Sequence, residues 1–143
     1  YGYVHGANGP SGRLNVIQKF QFDTSNNATD VGDLTQSVDA TSGHSSTTHG
    51  YRSGGAINYI NVIDKYPFAS DSNATDVGDI ANGVGAYKGP MSSLTYGYVA
   101  GGWNDNTWTV RDFIDKWSYA SGGNSTDVGD MTVARYGGRG TQL

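Results

Sequence analysis

The sequence contains no cysteine and, among its 13 acidic residues, no glutamate. Without cysteine, neither a disulfide framework nor a thiolate metal site can form. Leucine is nearly as scarce, with only four residues, at positions 14, 34, 94 and 143. Because glutamate and leucine are among the strong helix formers, their rarity argues against a helical fold. No apolar run approaches the roughly 20 residues that a membrane-spanning helix needs.

Charge of either sign is also limited. The formal net charge is −4, and the nine basic residues do not cluster along the chain. A nucleic-acid groove needs a basic stripe, so nucleic acid is not an expected partner. No Met or signal peptide opens the sequence, which starts within its own repeat pattern at Tyr1. We therefore expect a fragment, a processed product or a part of a longer protein.

Glycine and tyrosine are abundant, with 22 and 10 residues, as expected for short strands joined by tight turns. The motif Asn-x-Thr-Asp-Val-Gly-Asp occurs three times, at 27–33, 73–79 and 124–130. Around it the chain divides into three repeats, 1–48, 49–95 and 96–143. The constant distance from a preceding strand to this motif predicts a hairpin with a fixed turn in every repeat.

Each repeat follows the same order of features. A short aromatic strand comes first, then a pair of small residues, a variable loop, and a second strand with two aromatics two positions apart. The aromatic pairs are Phe20 and Phe22, Tyr66 and Phe68, and Trp117 and Tyr119. Period 2 places each pair on one strand face, where it should supply most of the packing. Three to four strands in about 47 residues is the period of a propeller blade.

This order resembles the kelch repeat, and the third repeat carries most of the motif. There the matching stretches are Tyr98–Gly102, Ile114–Trp117, Met131 and Arg135–Gly137. The first repeat has Gly6-Ala7 in place of the double glycine, and the first two lack the closing arginine. The Asp-Val-Gly-Asp element is similar to arrays in tail-fibre and appendage proteins of aquatic bacterial viruses and in environmental sequences.

The resemblance implies an all-β chain of three kelch-like repeats. Propellers typically have four to eight blades, so three blades do not easily close a ring. The chain is then part of a larger propeller, pairs with a second chain, or forms an open array or fibre. A compact threefold β-prism, like that of some lectins, is a further alternative.

The paired aspartates of the motif have two interpretations. They suit calcium, a hard cation that binds carboxylate and carbonyl oxygens, or they accept backbone N–H bonds around a glycine. Their threefold repetition favours the structural role over general acid–base catalysis, since an active site normally occurs once and is not copied into every repeat. The candidate calcium ligands are Asp30, Asp33, Asp76, Asp79, Asp127 and Asp130.

The motif also begins with an N-glycosylation triplet. Asn27, Asn73 and Asn124 are each followed by Ala-Thr or Ser-Thr, and they become glycoprotein sites if the producing cell modifies exported protein. The alternative is a turn signal that repeats with the unit. The three histidines, His5, His44 and His49, are too irregularly placed for a metal site and are expected at the surface or at strand ends.

The variable loop of the third repeat carries Trp103, Asn104, Asp105 and Trp108. Aromatic faces beside amide and carboxylate groups are what a sugar-binding surface uses. The alternative is that the two tryptophans cover a neighbouring repeat or a partner chain. This loop is the candidate ligand-binding site.

The sequence therefore predicts a non-enzymatic structural and interaction module of an extracellular or virion appendage, such as a tail fibre or fibril. No catalytic residue and no cofactor besides the calcium alternative is predicted, and no serine lies in a nucleophile-elbow pattern. The expected partner is the chain itself, as a homo-oligomer or fibre, or further repeats of a longer chain. A lectin-like propeller that binds a host glycan or receptor is the alternative, and a propeller glycoside hydrolase or oxidase the weakest. Membrane insertion is not expected.

Overall fold

A computed structural model describes residues 1–56, 60–82, 87–104 and 107–141 of the chain. Within these ranges it contains thirteen β-strands and no helix. The expectation of an all-β chain is therefore confirmed. A search of the same ranges for a helix with the length and hydropathy to cross a bilayer finds none.

The strands, numbered in chain order, form three antiparallel sheets and one small hairpin. The first sheet has the order β1-β4-β5, namely β1 (Gly2–His5), β4 (Val16–Phe20) and β5 (Thr29–Asp33). The hairpin joins β2 (Asn8–Gly9) and β3 (Gly12–Arg13). The second sheet runs β6 (Ser42–Ser45), β7 (His49–Ser53), β8 (Val62–Pro67) and β9 (Thr75–Asp79). The third runs β10 (Gly89–Ser92), β11 (Tyr96–Asn104), β12 (Thr109–Ser118) and β13 (Gly122–Asp130).

The sheets cross the repeat boundaries drawn on the sequence. β6 and β10 lie at the ends of the first two repeats, yet each pairs with the opening strand of the following repeat. The opening strands β7 and β11 therefore have a neighbour on both sides. β1, the equivalent strand of the first sheet, pairs with β4 alone among the described residues.

The hairpin that the sequence predicted is present in every sheet, but the repeated motif is its bulged second strand and not a turn. Its Thr-Asp-Val-Gly-Asp part forms the last strand of each sheet, β5, β9 and β13. In the first sheet Ile17 pairs with Gly32 while Gln18 pairs with Asp30, so Val31 has no partner in the ladder. The same shift recurs against β13. One extra residue on one strand is a β-bulge, which bends the strand locally.

The hydrophobic core lies between successive sheets. One cluster combines residues of the first and second sheets with the segments that follow them: Ile17, Leu34, Val38, Tyr66 and Ala74. The other combines the second and third: Tyr51, Ile63, Ile80, Val99, Phe113, Trp117 and Tyr119. Trp117 is buried, as its phase in the repeat predicted. Phe22, at the same phase as the buried Tyr119, is 74% exposed. Among the described residues, the two buried apolar clusters thus lie between neighbouring repeats, as in other repeat proteins.

Candidate functional site

Two buried aspartates join each sheet to the one before it. In β8, Asp64 Oδ1 accepts a hydrogen bond from Thr35 Oγ1 at 2.6 Å, and Asp64 Oδ2 accepts one from the Thr35 backbone N–H at 3.1 Å. In β12, Asp115 Oδ2 accepts the Asn82 N–H at 2.9 Å, and Asp115 Oδ1 accepts the Asn82 side-chain amide at 3.2 Å. We call these two contacts the middle joints. Both aspartates are fully buried, so each exchanges water for a donor of the preceding repeat.

The middle joint at Asp64 also includes a buried cation. Arg52 on β7 donates to Asp64 Oδ2 at 2.7 Å, and neither side chain is exposed to solvent. Arg52 also donates to the carbonyl of Gly54, at 3.1 Å. Burial lowers the pKa of Arg52, and the adjacent Asp64 carboxylate opposes that change.

Sequence reasoning did not single out Asp64, Asp115 or Arg52. A signal was available, because Ile-Asp-Lys stands at the same phase in the second and third repeats. An aspartate that recurs in the middle of a strand requires a hydrogen-bonding partner once that strand is buried. The partner lies in the preceding repeat, which the pattern alone does not reveal.

A second set of contacts, the outer joints, connects the motif of one repeat to the motif of the next. Asn73 Oδ1 accepts the Asp33 N–H and Asn124 Oδ1 accepts the Asp79 N–H, both at 3.0 Å. The glycine before each aspartate is needed for close approach. A Cβ on Gly32 would overlap Ser72, and a Cβ on Gly78 would overlap the carbonyl of Gly123.

The outer joints bear on the glycosylation hypothesis. Asn27, Asn73 and Asn124 are all exposed, as an acceptor must be. In Asn73 and Asn124 the amide oxygen is already bound to the preceding repeat. Sugar is attached to the amide nitrogen, so these two bonds do not occupy the atom that would be modified. Glycosylation of the three triplets stays a prediction.

In each motif the first aspartate is a backbone acceptor. Asp30 Oδ1 accepts the Gly32 N–H at 3.1 Å. The equivalent bonds of Asp76 and Asp127 are both 3.0 Å long. These hydrogen bonds stabilise the bulge. They are the structural role that was the alternative to calcium binding for these aspartates. Over the described part of the chain, no group of three or more His, Asp or Glu side chains gathers in a way that could hold a metal ion.

Trp103 and Trp108 lie at the tip of the β11–β12 hairpin. Trp103 meets Trp108 edge to face with ring centroids 6.0 Å apart, and it meets Tyr136 at 5.5 Å. Trp108 is 77% exposed, whereas Asn104 is buried. Asn104 Oδ1 accepts the Thr107 N–H at 3.1 Å, so this amide shapes the hairpin. Asp105 lies outside the described residues. We call Trp103, Trp108 and Tyr136 the aromatic tip.

No protein-family model matches the chain, and no curated protein matches its sequence. The joints and the aromatic tip are therefore the features of this chain that bear on its function.

A third set of contacts, the inner joint, connects the first strands of the second and third sheets. His44 of β6 donates through Nδ1 to the Met91 carbonyl at 3.1 Å, since a carbonyl can only accept, and its Nε2 lies 2.8 Å from Ser53 Oγ. Its ring also meets Trp117 edge to face at 4.7 Å. The sequence placed this histidine at the surface or at a strand end, and that was wrong for His44, which is buried.

The inner joint should make the protein sensitive to acid. Burial lowers the pKa of His44 from 6.5 to about 3. The folded state therefore keeps His44 neutral, while the unfolded chain binds a proton below about pH 6.5. Stability from this group is complete above pH 6.5 and is lost as the pH falls toward 3. At pH 5 the loss from His44 should be about 2 kcal/mol.

Urea unfolding at pH 7 and pH 5 checks this expectation. In His44→Gln, which cannot titrate in this range, the free energy of unfolding should fall less between the two pH values than in the wild type. His49→Gln is the matched control, because His49 is only partly buried, and it should keep most of the acid dependence. Equal acid dependence in wild type and His44→Gln would show that His44 does not carry the effect.

Proposed function

We propose that the chain is a non-enzymatic structural module of kelch-like blades that assembles through repeat-to-repeat contacts, in an extracellular or virion appendage. The observation that carries this proposal is the use of its buried polar side chains. Asp64, Asp115, Arg52 and His44 all bind neighbouring strands or the adjacent repeat. An enzyme needs polar groups that converge on a substrate, whereas each of these four side chains already forms hydrogen bonds to protein atoms.

The blade assignment is supported by the arrangement of the second and third sheets. Each has four antiparallel strands in chain order, with paired glycines at the second strand. Gly54 and Gly55 directly follow β7, and Gly101 forms a bulge in β11 with φ of 62°. These features agree with the kelch-like pattern. Residues of all three sheets line a common cleft, and strand pairing among the described residues closes no ring.

Self-assembly tests the proposal. Analytical ultracentrifugation of the purified chain over a wide concentration range should detect defined oligomers, and negative-stain electron microscopy should show rings or fibres. Assembly should persist at about 1 M salt, because salt does not screen apolar contacts or hydrogen bonds between uncharged groups. A strictly monomeric chain at every concentration would contradict the assembly role.

The aromatic tip supports a second candidate function, a lectin-like one. Trp108 presents most of its ring to solvent beside Trp103, and exposed aromatic faces of this kind bind the apolar faces of sugars. A glycan or receptor on a host surface is the partner that this candidate implies.

A glycan array followed by titration of any bound sugar separates the two functions. If the tip binds sugar, Trp108→Ala should weaken binding about tenfold, equivalent to about 1.4 kcal/mol. Leu94→Ala is the matched control, since Leu94 is 81% exposed and lies between β10 and β11, outside the tip. Unchanged affinity in Trp108→Ala, or no glycan bound at all, would exclude the tip as a sugar site.

A further inference from the structure

The tryptophan at the turn of the β11–β12 hairpin adopts a backbone conformation that is unfavourable for a large side chain. Trp108 has a φ of 52°, in the left-handed region that glycine tolerates best. A bulky residue in this region is strained, and the strain lowers the stability of the folded chain. Glycine occupies the left-handed position in the adjoining strand, where Gly101 has a φ of 62°. The hairpin would therefore be less strained with glycine at position 108.

The ring of Trp108 also contributes little to the hydrophobic core. Trp108 is 77% exposed, although burial of an indole is among the largest apolar contributions that a side chain can make. Its contact with Trp103 is edge to face, with an interplanar angle of 86°. Trp103 therefore supports the ring without covering it. Strain and exposure at one residue are both unfavourable for folding, and together they indicate a contact with a molecule outside the chain.

The same exposure occurs at a hairpin that has further repeats after it. In the first sheet, the turn between β2 and β3 is exposed at Ser11 and Gly12, although the second and third sheets follow. A hairpin tip at this place in the repeat thus stays accessible when other repeats pack beside it.

The contact that supports the tip recurs in the first repeat with different chemistry. Asp39, in the segment that closes the first repeat, accepts hydrogen bonds from Asn8 at 2.7 Å and from Arg13 at 2.8 Å. Both donors belong to the β2–β3 hairpin. Tyr136, in the segment that closes the third repeat, meets Trp103 with ring centroids 5.5 Å apart. Each closing segment thus supports the hairpin tip of its own repeat, and the tip is polar in the first and aromatic in the third.

The polar side chains next to Trp108 are bonded within the hairpin. Thr107 Oγ1 lies 2.6 Å from Thr109 Oγ1, at hydrogen-bond distance. Asn104 Oδ1 accepts the Thr107 N–H at 3.1 Å. In the described part of the tip, the surface offered to a ligand is therefore mainly the indole ring. Such a site holds its ligand by stacking more than by directed hydrogen bonds.

We propose that Trp108 stacks on a pyranose ring whose hydroxyls are all equatorial, as in the glucose or N-acetylglucosamine units of a β-1,4-linked polymer. This inference rests on the sugar-binding candidate of the proposed function and names its ligand class. In such a ring the hydroxyls point outward from the rim, and the axial C–H groups leave both faces apolar. An axial hydroxyl, as in mannose, places a polar group on one face, where stacking on indole would desolvate it without a partner.

The polymer follows from the single platform. One exposed ring makes one stacking contact, so the affinity for a single sugar unit should be low. A β-1,4-linked chain turns successive units over and offers many equivalent rings to the same tryptophan. Several copies of the tip in one assembly can bind one polymer together, and their combined affinity then exceeds that of each tip.

Affinity electrophoresis in gels that contain a soluble β-1,4-glucan, hydroxyethylcellulose, tests the ligand class. The glucan should retard the chain, and a β-1,4-mannan should bind about threefold more weakly or less. Trp108→Gly should bind the glucan about tenfold more weakly, whereas Trp108→Tyr keeps a flat ring and should stay within about threefold of the unchanged chain. Leu94→Ala, exposed outside the tip, is the matched control and should be retarded like the unchanged chain.

Thermal unfolding of the same variants distinguishes a ligand contact from a structural residue. Because glycine relieves the strain at a φ of 52°, the unfolding midpoint of Trp108→Gly should equal or exceed that of the unchanged chain. Trp117→Phe alters the buried tryptophan and should lower the midpoint by about 5 °C. A fall of that size in Trp108→Gly would show that Trp108 stabilises the fold, and the argument from strain would be overturned.

The outcomes separate this inference from the proposed function. If neither the glucan nor any sugar of the array binds, the sugar-binding candidate and this inference both fail, while self-assembly is decided by ultracentrifugation alone. If the glucan binds Trp108→Gly and the unchanged chain equally, sugar binding holds but the tip is not its site. Equal or tighter binding of the mannan overturns the ligand class. Glucan binding that Trp108→Gly loses, with no fall in its unfolding midpoint, supports the inference.

Discussion

Replacement of Gly78 with alanine is expected to destabilise the isolated chain by about 4 kcal/mol. Two costs add. Gly78 has a φ of 150°, a conformation in which an L side chain is strained by about 1–3 kcal/mol. Its Cβ would also overlap the Gly123 carbonyl and the Asn124 backbone across the outer joint, where backbone cannot move aside easily, at about 1–3 kcal/mol more.

Gly129→Ala is the matched control, because Gly129 occupies the same motif position with a φ of 147° but has open space around it. Gly129→Ala introduces the backbone strain without the steric conflict, so its cost should be only the strain, about 1–3 kcal/mol. Urea unfolding followed by tryptophan fluorescence, at concentrations where the chains are monomeric, compares the two variants. In Gly78→Ala the third sheet should also unfold separately from the first two, since its contact with β9 is weakened. Equal losses in the two variants would mean that the outer joint contributes nothing.

Much of the fold could be predicted from the sequence, because the same succession of strands recurs at matching positions in each repeat. The period-2 aromatics located β8 and β12, and the opening aromatic strands located β1, β7 and β11. The motif was interpreted as a turn because Asp, Asn and Gly favour turns locally. Its extended conformation comes from pairing with the middle strand, with the Asp30 carboxylate capping the bulge. Cross-strand pairing here overrides local preference.

The candidate site was less predictable, for a related reason. Exposed positions such as Trp108 can be anticipated from a variable loop, and this tryptophan is exposed. The joints depend instead on contacts between repeats, because each joint forms only where a side chain of one repeat lies against its partner in the adjacent repeat. Asp64 and Gln18 stand at the same phase, yet Asp64 is buried against Thr35 while Gln18 is exposed. Asp64 is buried because the first sheet packs against the second. The residues next to Asp64 and Gln18 in the sequence do not show whether such a neighbouring sheet is present.

Substitution of Asp64 with alanine is expected to cost about 3–5 kcal/mol, because it leaves the Arg52 guanidinium buried without its counter-ion. The Thr35 N–H and hydroxyl would lose their acceptor as well. Asp115→Ala removes the same kind of joint without stranding a charge, since its partners are the neutral Asn82 and Ser125. Its cost should be smaller, about 2 kcal/mol. Gln18→Ala, at the same phase on an exposed surface, should change stability by less than about 0.5 kcal/mol.

A double-mutant cycle measures how much the Arg52–Asp64 ion pair contributes to stability beyond the hydrogen bonds that join the two repeats. Arg52→Met combined with Asp64→Leu replaces the ion pair by apolar groups, and well-packed replacements of this kind are often close to neutral. The double variant should therefore recover at least half of the loss seen in Asp64→Leu alone, as measured by urea unfolding at pH 7. Its remaining deficit contains the hydrogen bonds of Asp64 to Thr35 and those of Arg52 to the Gly54 and Val62 carbonyls. If the double variant is instead as unstable as the sum of the single ones, Arg52 and Asp64 act independently, and the second repeat is held to the first by Thr35 and the apolar core alone.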